Sequence, residues 1–263
     1  MKYLKSSSRI QIKTDAGTDL TLMKRGRMPG FFNGVTADGG GFSSASIEVY
    51  IPVEECGTNG TMVIDGSLGY IGAAREDTRV VFKEGRIVEI EETPTGKRLK
   101  EYMEGYHDSG IYVAGELGIG LNSYSQCAGR CYIEDESAYG TFHIGLGRNI
   151  ALGGTHEANG HFDLVAREPN LFADNRTRML VFLKEQVTQA VNDSTHTENS
   201  NGNPNPGSVY PIRIPFTRPE IAAHLGCSVR TVNRTVQELV DEEIIHLNKG
   251  KIWISEKQAS TFL

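Results

Sequence analysis

His161 and Asp163 stand two residues apart in the run His161-Phe-Asp163. On a β-strand that spacing turns both side chains to one face. An imidazole nitrogen beside a carboxylate oxygen starts a site for a divalent cation such as Zn, Mn, Co or Fe, once a Glu and a second His join. His143 is such a His. It lies in another strand-like run, Thr141-Phe-His-Ile-Gly-Leu-Gly147, and points the same way as Gly145 and Gly147, which leave space beside it. Cys127 and Cys131 could be paired ligands, but two ordinary thiols is the better reading. A second concentration of chemistry is cationic and lies near the C-terminus: Arg230 and Arg234, with Thr231 and Asn233 between them. A guanidinium carries five donors in a planar fork, suited to paired acceptors.

These residues need elements to hold them. Residues 1 to about 168 read as β-rich. Alternating runs recur at Arg9–Thr14, Ser46–Ile51, Thr61–Ile64, Arg79–Phe82 and Arg86–Ile90, divided by turn signals such as Asp15-Ala-Gly17, Asp65-Gly66 and Glu84-Gly85. Lys83-Glu-Gly-Arg86 reads as a hairpin turn. The one helix expected in this part spans Pro94–Gly105, with Leu99, Tyr102 and Met103 at helical spacing. The character changes near Pro169. Asn175–Val191 carries Met179, Leu180, Phe182, Leu183, Val187 and Val191 near a 3.6-residue period, which predicts an amphipathic helix. Asn192–Ser208 is Asn, Ser, Thr, Gly and Pro without apolar period and reads as a flexible loop or linker.

From Tyr210 onward the pattern is compact. Arg213-Ile-Pro-Phe216 looks like a short strand. Thr217 with Glu220 makes a capping box for a helix over Pro219–Leu225, and Pro219 sits where a missing N–H costs little. Gly226 supplies the turn, where a positive φ is needed. Ser228 caps a second helix, Val229–Glu243, whose apolar face is Val232, Val236, Leu239 and Val240. Ile244–Leu247, Asn248-Lys-Gly250 and Lys251–Ile254 then read as strand, turn and strand. The whole is a helix-turn-helix with a wing. The chain is thus expected to be α+β: a β-rich domain over 1–170, then a winged helix-turn-helix domain over 171–263. Within the latter, 171–192 is the preceding helix and 193–209 a flexible loop.

Bulk properties bound this reading. The 263 residues are 38% apolar and 23% charged, as in soluble globular chains. The formal net charge of −6 gives no global basic signature, so nucleic-acid binding must rest on the local motif. No apolar run approaches the roughly 18 residues of a membrane span, and Met1–Ile12 is polar and alternating, unlike a signal sequence. No membrane partner is expected, and the cytoplasm is the expected location. Four scattered cysteines do not make a disulfide framework.

The C-terminal residues Phe216-Thr217, Glu220-Ile-Ala222, Leu225-Gly-Cys-Ser228, Thr231-Val232, Arg234, Leu239 and Lys249-Gly-Lys-Ile252 resemble the DNA-binding domain of the cyclic-AMP receptor protein family. The resemblance implies a double-stranded DNA partner, contacted by Thr217, Ser228, Val229, Arg230, Thr231, Asn233, Arg234, Lys249 and Lys251. The start of the second helix enters the major groove, where Arg donates two hydrogen bonds to guanine. The family usually carries Arg-Glu where Val229 and Arg230 stand, so a thymine methyl or a guanine is read instead. The implied operator is palindromic and the implied assembly a homodimer. No cyclic-nucleotide site is recognised.

The N-terminal region resembles the C-terminal part of the thermophilic metallo-aminopeptidases, the aminopeptidase T and leucyl aminopeptidase group, whose relatives include the 2,5-dihydroxypyridine dioxygenases. Ala16-Gly-Thr-Asp-Leu20, Glu48-Val49, Asn59-Gly-Thr61, Asp65-Gly-Ser67, Glu84-Gly-Arg86, Gly115–Asn122, Asp135-Glu136, Gly140–Gly147, Gly153-Gly154 and His161-Phe-Asp163 carry it. The resemblance implies Glu48, Glu116, His143, His161 and Asp163 as metal ligands; the plain alternative is ordinary hydrogen-bonded polar residues in a reused fold. His107 and His156 are expected at the surface or in support. The aminopeptidases have a further large N-terminal domain that is missing here. Their tyrosine after the first histidine has no counterpart near Ile150, where Arg148 and Asn149 stand. A dioxygenase needs His at or near Glu116. The expectation is therefore a transcription regulator whose N-terminal domain senses a small molecule or a metal. The competing expectation is a metal-dependent hydrolase or dioxygenase that also binds DNA.

Overall fold

The computed structural model of the chain describes residues 4–5, 7–37, 43–173, 175–196, 209–225 and 227–262. Gly226 and residues 197–208 of the expected loop lie outside them. The chain divides into two compact units, the first ending at Ala173 and the second carrying Asn175 to Phe262.

The first unit contains strands β1 (Arg9–Lys13), β2 (Asp19–Met23), β3 (Gly30–Asn33), β4 (Ile47–Pro52), β5 (Asn59–Ile64), β6 (Ser67–Leu68), β7 (Thr78–Lys83) and β8 (Arg86–Ile90). Helix α1 (Pro94–Glu104), β9 (Ala114–Gly120), helix α2 (Tyr132–Ser137), β10 (Thr141–Gly147), β11 (His161–Arg167) and β12 (Asn170–Ala173) follow. One six-stranded sheet runs β12-β1-β2-β5-β7-β8 and another β3-β4-β9-β10-β11-β6. All their pairings are antiparallel. Alternation along each strand gives each sheet an apolar face. Ile10, Ile12, Leu20, Leu22, Met62 and Phe82 of the first sheet share one core with Ile51, Leu117, Phe142, Ile144, Leu146 and Phe162 of the second. The sheets therefore pack face to face, and Leu99 and Met103 of α1 join the same core. The β7–β8 turn is the expected two-residue hairpin: Glu84 and Gly85 both have positive φ, and a Cβ on Gly85 would lie 1.7 Å from the Glu55 carbonyl oxygen.

Two sequence expectations need correction here. Because β12 pairs with β1, residues 171–173 belong to the first unit. Helix α2 was not expected, since six residues are too few to show an apolar period. It lies between β9 and β10 in sequence and carries Glu136.

The second unit contains α3 (Asn175–His196), β13 (Ile212–Arg213), α4 (Arg218–Leu225), α5 (Val229–Asp241), β14 (His246–Asn248), β15 (Lys251–Ile254) and α6 (Glu256–Ala259). Its sheet is ordered β13-β15-β14. Met179, Phe182, Leu183 and Val187 of α3 share a core with Ile221, Leu225, Val232, Val236, Leu239, Ile252 and Ile254. The apolar face of α3 is thus used inside its own unit. The helix runs on to His196, so 192–196 are helical and not loop as the composition had indicated. Residues 192–196 are Asn, Asp, Ser, Thr and His, so no apolar period marks them as helix in the sequence.

The predicted capping box forms: the Thr217 N–H and hydroxyl donate to Glu220 Oε2 at 2.6 and 2.7 Å. Helix α5 stops at Asp241, earlier than expected. Glu243 takes φ 59° and the Ile244 N–H turns back to the Leu239 carbonyl at 2.9 Å. In the wing, Lys249 and Gly250 both take positive φ, joining Asn248 to Lys251 by a tight turn. Ser228 accepts from the Thr231 N–H at 3.1 Å. Ser228→Ala is expected to cost this unit about 1 kcal/mol. That loss should lower its unfolding midpoint in urea; an unmoved midpoint would show that the cap contributes nothing.

Candidate functional site

Four neighbouring strands bring the predicted ligands together. Gly145 of β10 lies opposite Glu116 of β9 on one side and Asp163 of β11 on the other. His143 is two residues back on the same face, and His161 is two residues before Asp163. Glu48 of β4 faces Gly120 of β9 across the next pairing. His143 Nε2 lies 3.9 Å from both Glu48 Oε2 and Asp163 Oδ1. His161 Nε2 lies 3.3 Å from Glu116 Oε2 and 3.5 Å from Asp163 Oδ1. Glu48, Glu116, His143 and Asp163 are buried, while His161 keeps part of its ring exposed. Donor atoms of Glu116, His161 and Asp163 all lie within 4.8 Å of one another. His107 is exposed, and His156 bonds the Gly110 carbonyl, so neither joins the cluster.

Glycine makes room for these side chains. A Cβ on Gly118 would lie 2.0 Å from His143 Cε1 and Nε2; one on Gly145 would lie 2.7 Å from His161 Cε1 and 2.9 Å from Glu116 Oε2. The sequence reading credited Gly147 with the same role. Gly147 instead takes φ +86° at the strand end and abuts the Gly160 carbonyl. Gly118→Ala should push the His143 ring aside and leave the apolar core, on the opposite face, untouched. Divalent-ion affinity of the purified chain should fall about tenfold or more while the chain stays folded. Unchanged affinity by Mn²⁺ titration would remove His143 from the ligand set.

The sequence reading missed one member. Glu136 on α2 is buried and feels the charges of Asp163, Glu48 and Glu116. Its signal was the acidic pair Asp135-Glu136, just before the strand of His143; the pair is among the segments that match the family but not among the ligands the resemblance implies. Burial, then the Asp163, Glu48 and Glu116 charges, push the Glu136 carboxyl far up. Burial works the same way on Asp163, but the His161 and His143 charges outweigh it and hold that carboxyl low. Burial raises Glu48 to about 7 against the opposing pull of His143. For His143 and His161 burial favours the neutral ring, yet the carboxylates, Asp163 first, raise both. Four carboxyl groups and two imidazoles are therefore held together away from water. Glu48 Oε2, Asp163 Oδ1 and His143 Nδ1 are buried with no hydrogen-bond partner. Unpaired buried oxygens of this kind cost several kcal/mol unless something satisfies them. The mixed oxygen and nitrogen donor set fits a divalent cation.

Supporting contacts aim the ligands. His161 Nδ1 donates to the Arg148 carbonyl at 2.8 Å, which turns Nε2 toward the carboxylates. The loop carrying Arg148 is pinned by Glu55, which accepts from Arg27 at 2.7 Å, the Thr155 N–H at 3.0 Å and Asn149 at 3.0 Å. Against the cost of burial, these bonds hold Glu55 down at about 2. Tyr132 of α2 packs on Tyr70 with ring centroids 4.3 Å apart. The Tyr50 hydroxyl is raised by burial and by the Glu116 and Glu48 charges.

The second unit carries the other predicted set. Val229, Arg230, Asn233 and Arg234 form one exposed stripe along the start of α5, while Val232, Thr235, Val236 and Leu239 are buried behind it. Arg234 is held loosely by Glu238, 3.7 Å away and one turn on. Thr217, Ser228 and Thr231 are engaged in the two helix caps, while Lys249 lies in the wing turn and Lys251 follows it. No helix among the described residues is long and apolar enough to cross a membrane.

Comparison with known proteins agrees with both halves. Residues 178–259 match the Crp-like helix-turn-helix domain. A curated relative, the 2,5-dihydroxypyridine 5,6-dioxygenase of Pseudomonas putida KT2440, is 25% identical over 138 residues, covering 48% of this chain and 39% of the relative. The chain thus spans less than half the length of that enzyme. The solved structure of 2,5-dihydroxypyridine dioxygenase from the same organism superposes with a TM-score of 0.54 at 19% identity, over 66% of this chain and 53% of the other. That likeness shows a shared fold. The aminopeptidase AmpT of Thermus thermophilus superposes with a TM-score of 0.48 at 18% identity, over 64% of this chain and 46% of the other. Residues 1–180 match the 2,5-dihydroxypyridine 5,6-dioxygenase (NicX) family, so the chain belongs to that family and carries a Crp-like helix-turn-helix domain behind the family's fold.

Proposed function

We propose that this chain is a sequence-specific transcription regulator that binds a palindromic operator as a homodimer, in the cytoplasm, and whose metalloenzyme-derived domain senses a small molecule or a metal. The exposed stripe Val229, Arg230, Asn233 and Arg234 carries the DNA-binding part of the reading. The first helical turn of α5 is thereby free to enter a major groove, with the two guanidiniums placed for guanine and Val229 for a thymine methyl. The buried donor cluster supports the sensing part. Glu48, Glu116, His143, His161 and Asp163 would hold a divalent cation such as Zn, Mn, Co or Fe, which would supply a Lewis-acidic anchor for a small polar ligand. A dihydroxylated pyridine, the compound named for the relative, is the first ligand to test.

Self-association falls to the first unit. The apolar face of α3 is consumed in its own core, so it is not available as a zipper. The test is the mass in solution of the full chain and of residues 1–173. A dimer in both is expected. A monomeric 1–173 with a dimeric full chain would place the contact in the second unit.

One observation favours a second reading, a working hydrolase or dioxygenase that also binds DNA: all five family-matched polar residues converge in one cluster. Oxygen uptake with 2,5-dihydroxypyridine and peptide hydrolysis, both by ion-loaded protein, separate the two. Turnover at enzyme-like rates would favour the enzyme.

A further inference from the structure

We infer that Asn149 is a positioning residue of the cation site: its side chain clamps a β-bulge beside Glu116 to the turn that holds His161, and so sets the spacing of those two ligands. The inference rests on the reading that the cluster binds a divalent cation. The bulge comes from the register of β9 on β10, where Glu116 lies opposite Gly145 but Ala114 lies opposite Leu146. Gly115 is the extra residue, left outside the ladder. Its carbonyl accepts instead from the Val53 N–H and from Asn149 Nδ2, each at 3.0 Å. Asn149 Nδ2 also donates to Glu55 Oε1 at 3.0 Å, and Asn149 Oδ1 accepts from the His156 N–H at 2.9 Å. A carbonyl and a carboxylate can only accept, and an N–H can only donate, so these partners fix which way the amide faces.

The other end of the clamp is the peptide before Asn149. The Arg148 carbonyl accepts from His161 Nδ1 at 2.8 Å, and the Arg148 N–H donates to the Gly160 carbonyl at 2.8 Å. Asn149 thus acts on Glu116 through the Gly115 backbone and on His161 through the Arg148 backbone. Glu116 Oε2 and His161 Nε2 stand 3.3 Å apart at the point where these two pieces meet. Asn149 is buried, and two glycines make the space for it. A Cβ on Gly115 would lie 3.0 Å from the Asn149 Cβ, and one on Gly154 would lie 2.1 Å from its Cγ and Oδ1. Outer contacts that orient ligands in this way typically weaken metal binding by about 10- to 100-fold when they are removed.

The test compares the full-length wild-type chain with Asn149→Ala, Gly154→Ala and Thr155→Val. Each is titrated with Mn²⁺, its Co²⁺ adduct is recorded by visible absorption, and its unfolding in urea is followed without ion. Gly154→Ala pushes the Asn149 side chain from its place and leaves every ligand as it is. Thr155→Val removes a different bond of the same loop, from the Thr155 hydroxyl to Glu55 at 3.1 Å, and leaves the clamp intact. Asn149→Ala and Gly154→Ala should each bind Mn²⁺ about tenfold or more weakly, with an altered Co²⁺ spectrum. Thr155→Val should keep a Kd within about threefold of wild type and the wild-type spectrum. Wild-type affinity and spectrum in either of the first two variants would overturn the inference. Equal losses in all three, in step with their urea midpoints, would overturn it too, because loop stability alone would then set the affinity. Should Asn149→Ala not unfold cooperatively, Gly154→Ala decides on the same readings. If the wild-type chain itself takes up neither ion, the reading of the cluster as a cation site fails first, and the inference with it.

Discussion

Asp163→Asn should abolish specific binding of a divalent cation, weakening it by more than about a hundredfold, because the Asp163 carboxylate reaches both imidazoles, at 3.9 and 3.5 Å. The substitution keeps the shape of the side chain and removes one negative charge. Glu48, Glu116 and Glu136 crowd that charge, but the His161 and His143 charges outweigh them and hold the carboxyl low, so its loss removes a net attraction in the ion-free protein. Stability without ion should therefore fall modestly. What disappears is the increment that the ion adds. A site occupied at 100 times its Kd adds about 2.7 kcal/mol to the folded state. Thermal melting with and without Mn²⁺ reads both quantities in one experiment. Wild type should gain stability from the ion and Asp163→Asn should not. An equal gain in both would put the ion somewhere else.

The paired substitution Arg230→Ala with Arg234→Ala should have the other large effect. Each bidentate contact to guanine is worth about 1–3 kcal/mol of discrimination, so the pair should cost about 2–6 kcal/mol on a cognate duplex. The two residues are one helical turn apart on the exposed side of α5 and can contact adjacent bases, so strict additivity is not expected. Neither side chain packs in the core of the unit, so its folding should not suffer. Binding to unrelated duplex should fall far less, since phosphate contacts remain with Lys249 and Lys251 at the wing. Affinity for selected and scrambled duplexes at one salt concentration measures the ratio. A proportional loss on both would mean that the arginines contact only the backbone.

How far the sequence disclosed these sites depended on the length of the signal. The helix-turn-helix was legible because its caps, turn residues and apolar spacing are local: Thr217 with Glu220 and Ser228 with Thr231 form the bonds their spacing implied. The end of α5 was not, because Glu243 in a left-handed conformation has no glycine to announce it. In the first unit, His161 and Asp163 share a face because they are two residues apart on one strand. That His143, Glu116 and Glu48 meet them depends on the order β4-β9-β10-β11, which no strand reveals alone. Resemblance to a family provided that long-range information. It included Glu136 among the matching residues but not among the ligands, and the helix of Glu136 is too short to leave a periodic trace. Nor did spacing show that Gly118, on a neighbouring strand, makes room for His143.

Selection of random duplexes by the full-length protein, carried out with ion-loaded and ion-stripped samples, tests the joint claim of DNA reading and sensing most directly. The expected result is an enriched inverted repeat with half-sites about one helical turn apart and guanines at the positions lost in the Arg230 and Arg234 variants. Its affinity should differ between the two samples by about fivefold or more, the lower end of ordinary allosteric coupling. No enriched sequence, or one bound equally well by loaded and stripped protein, would contradict it.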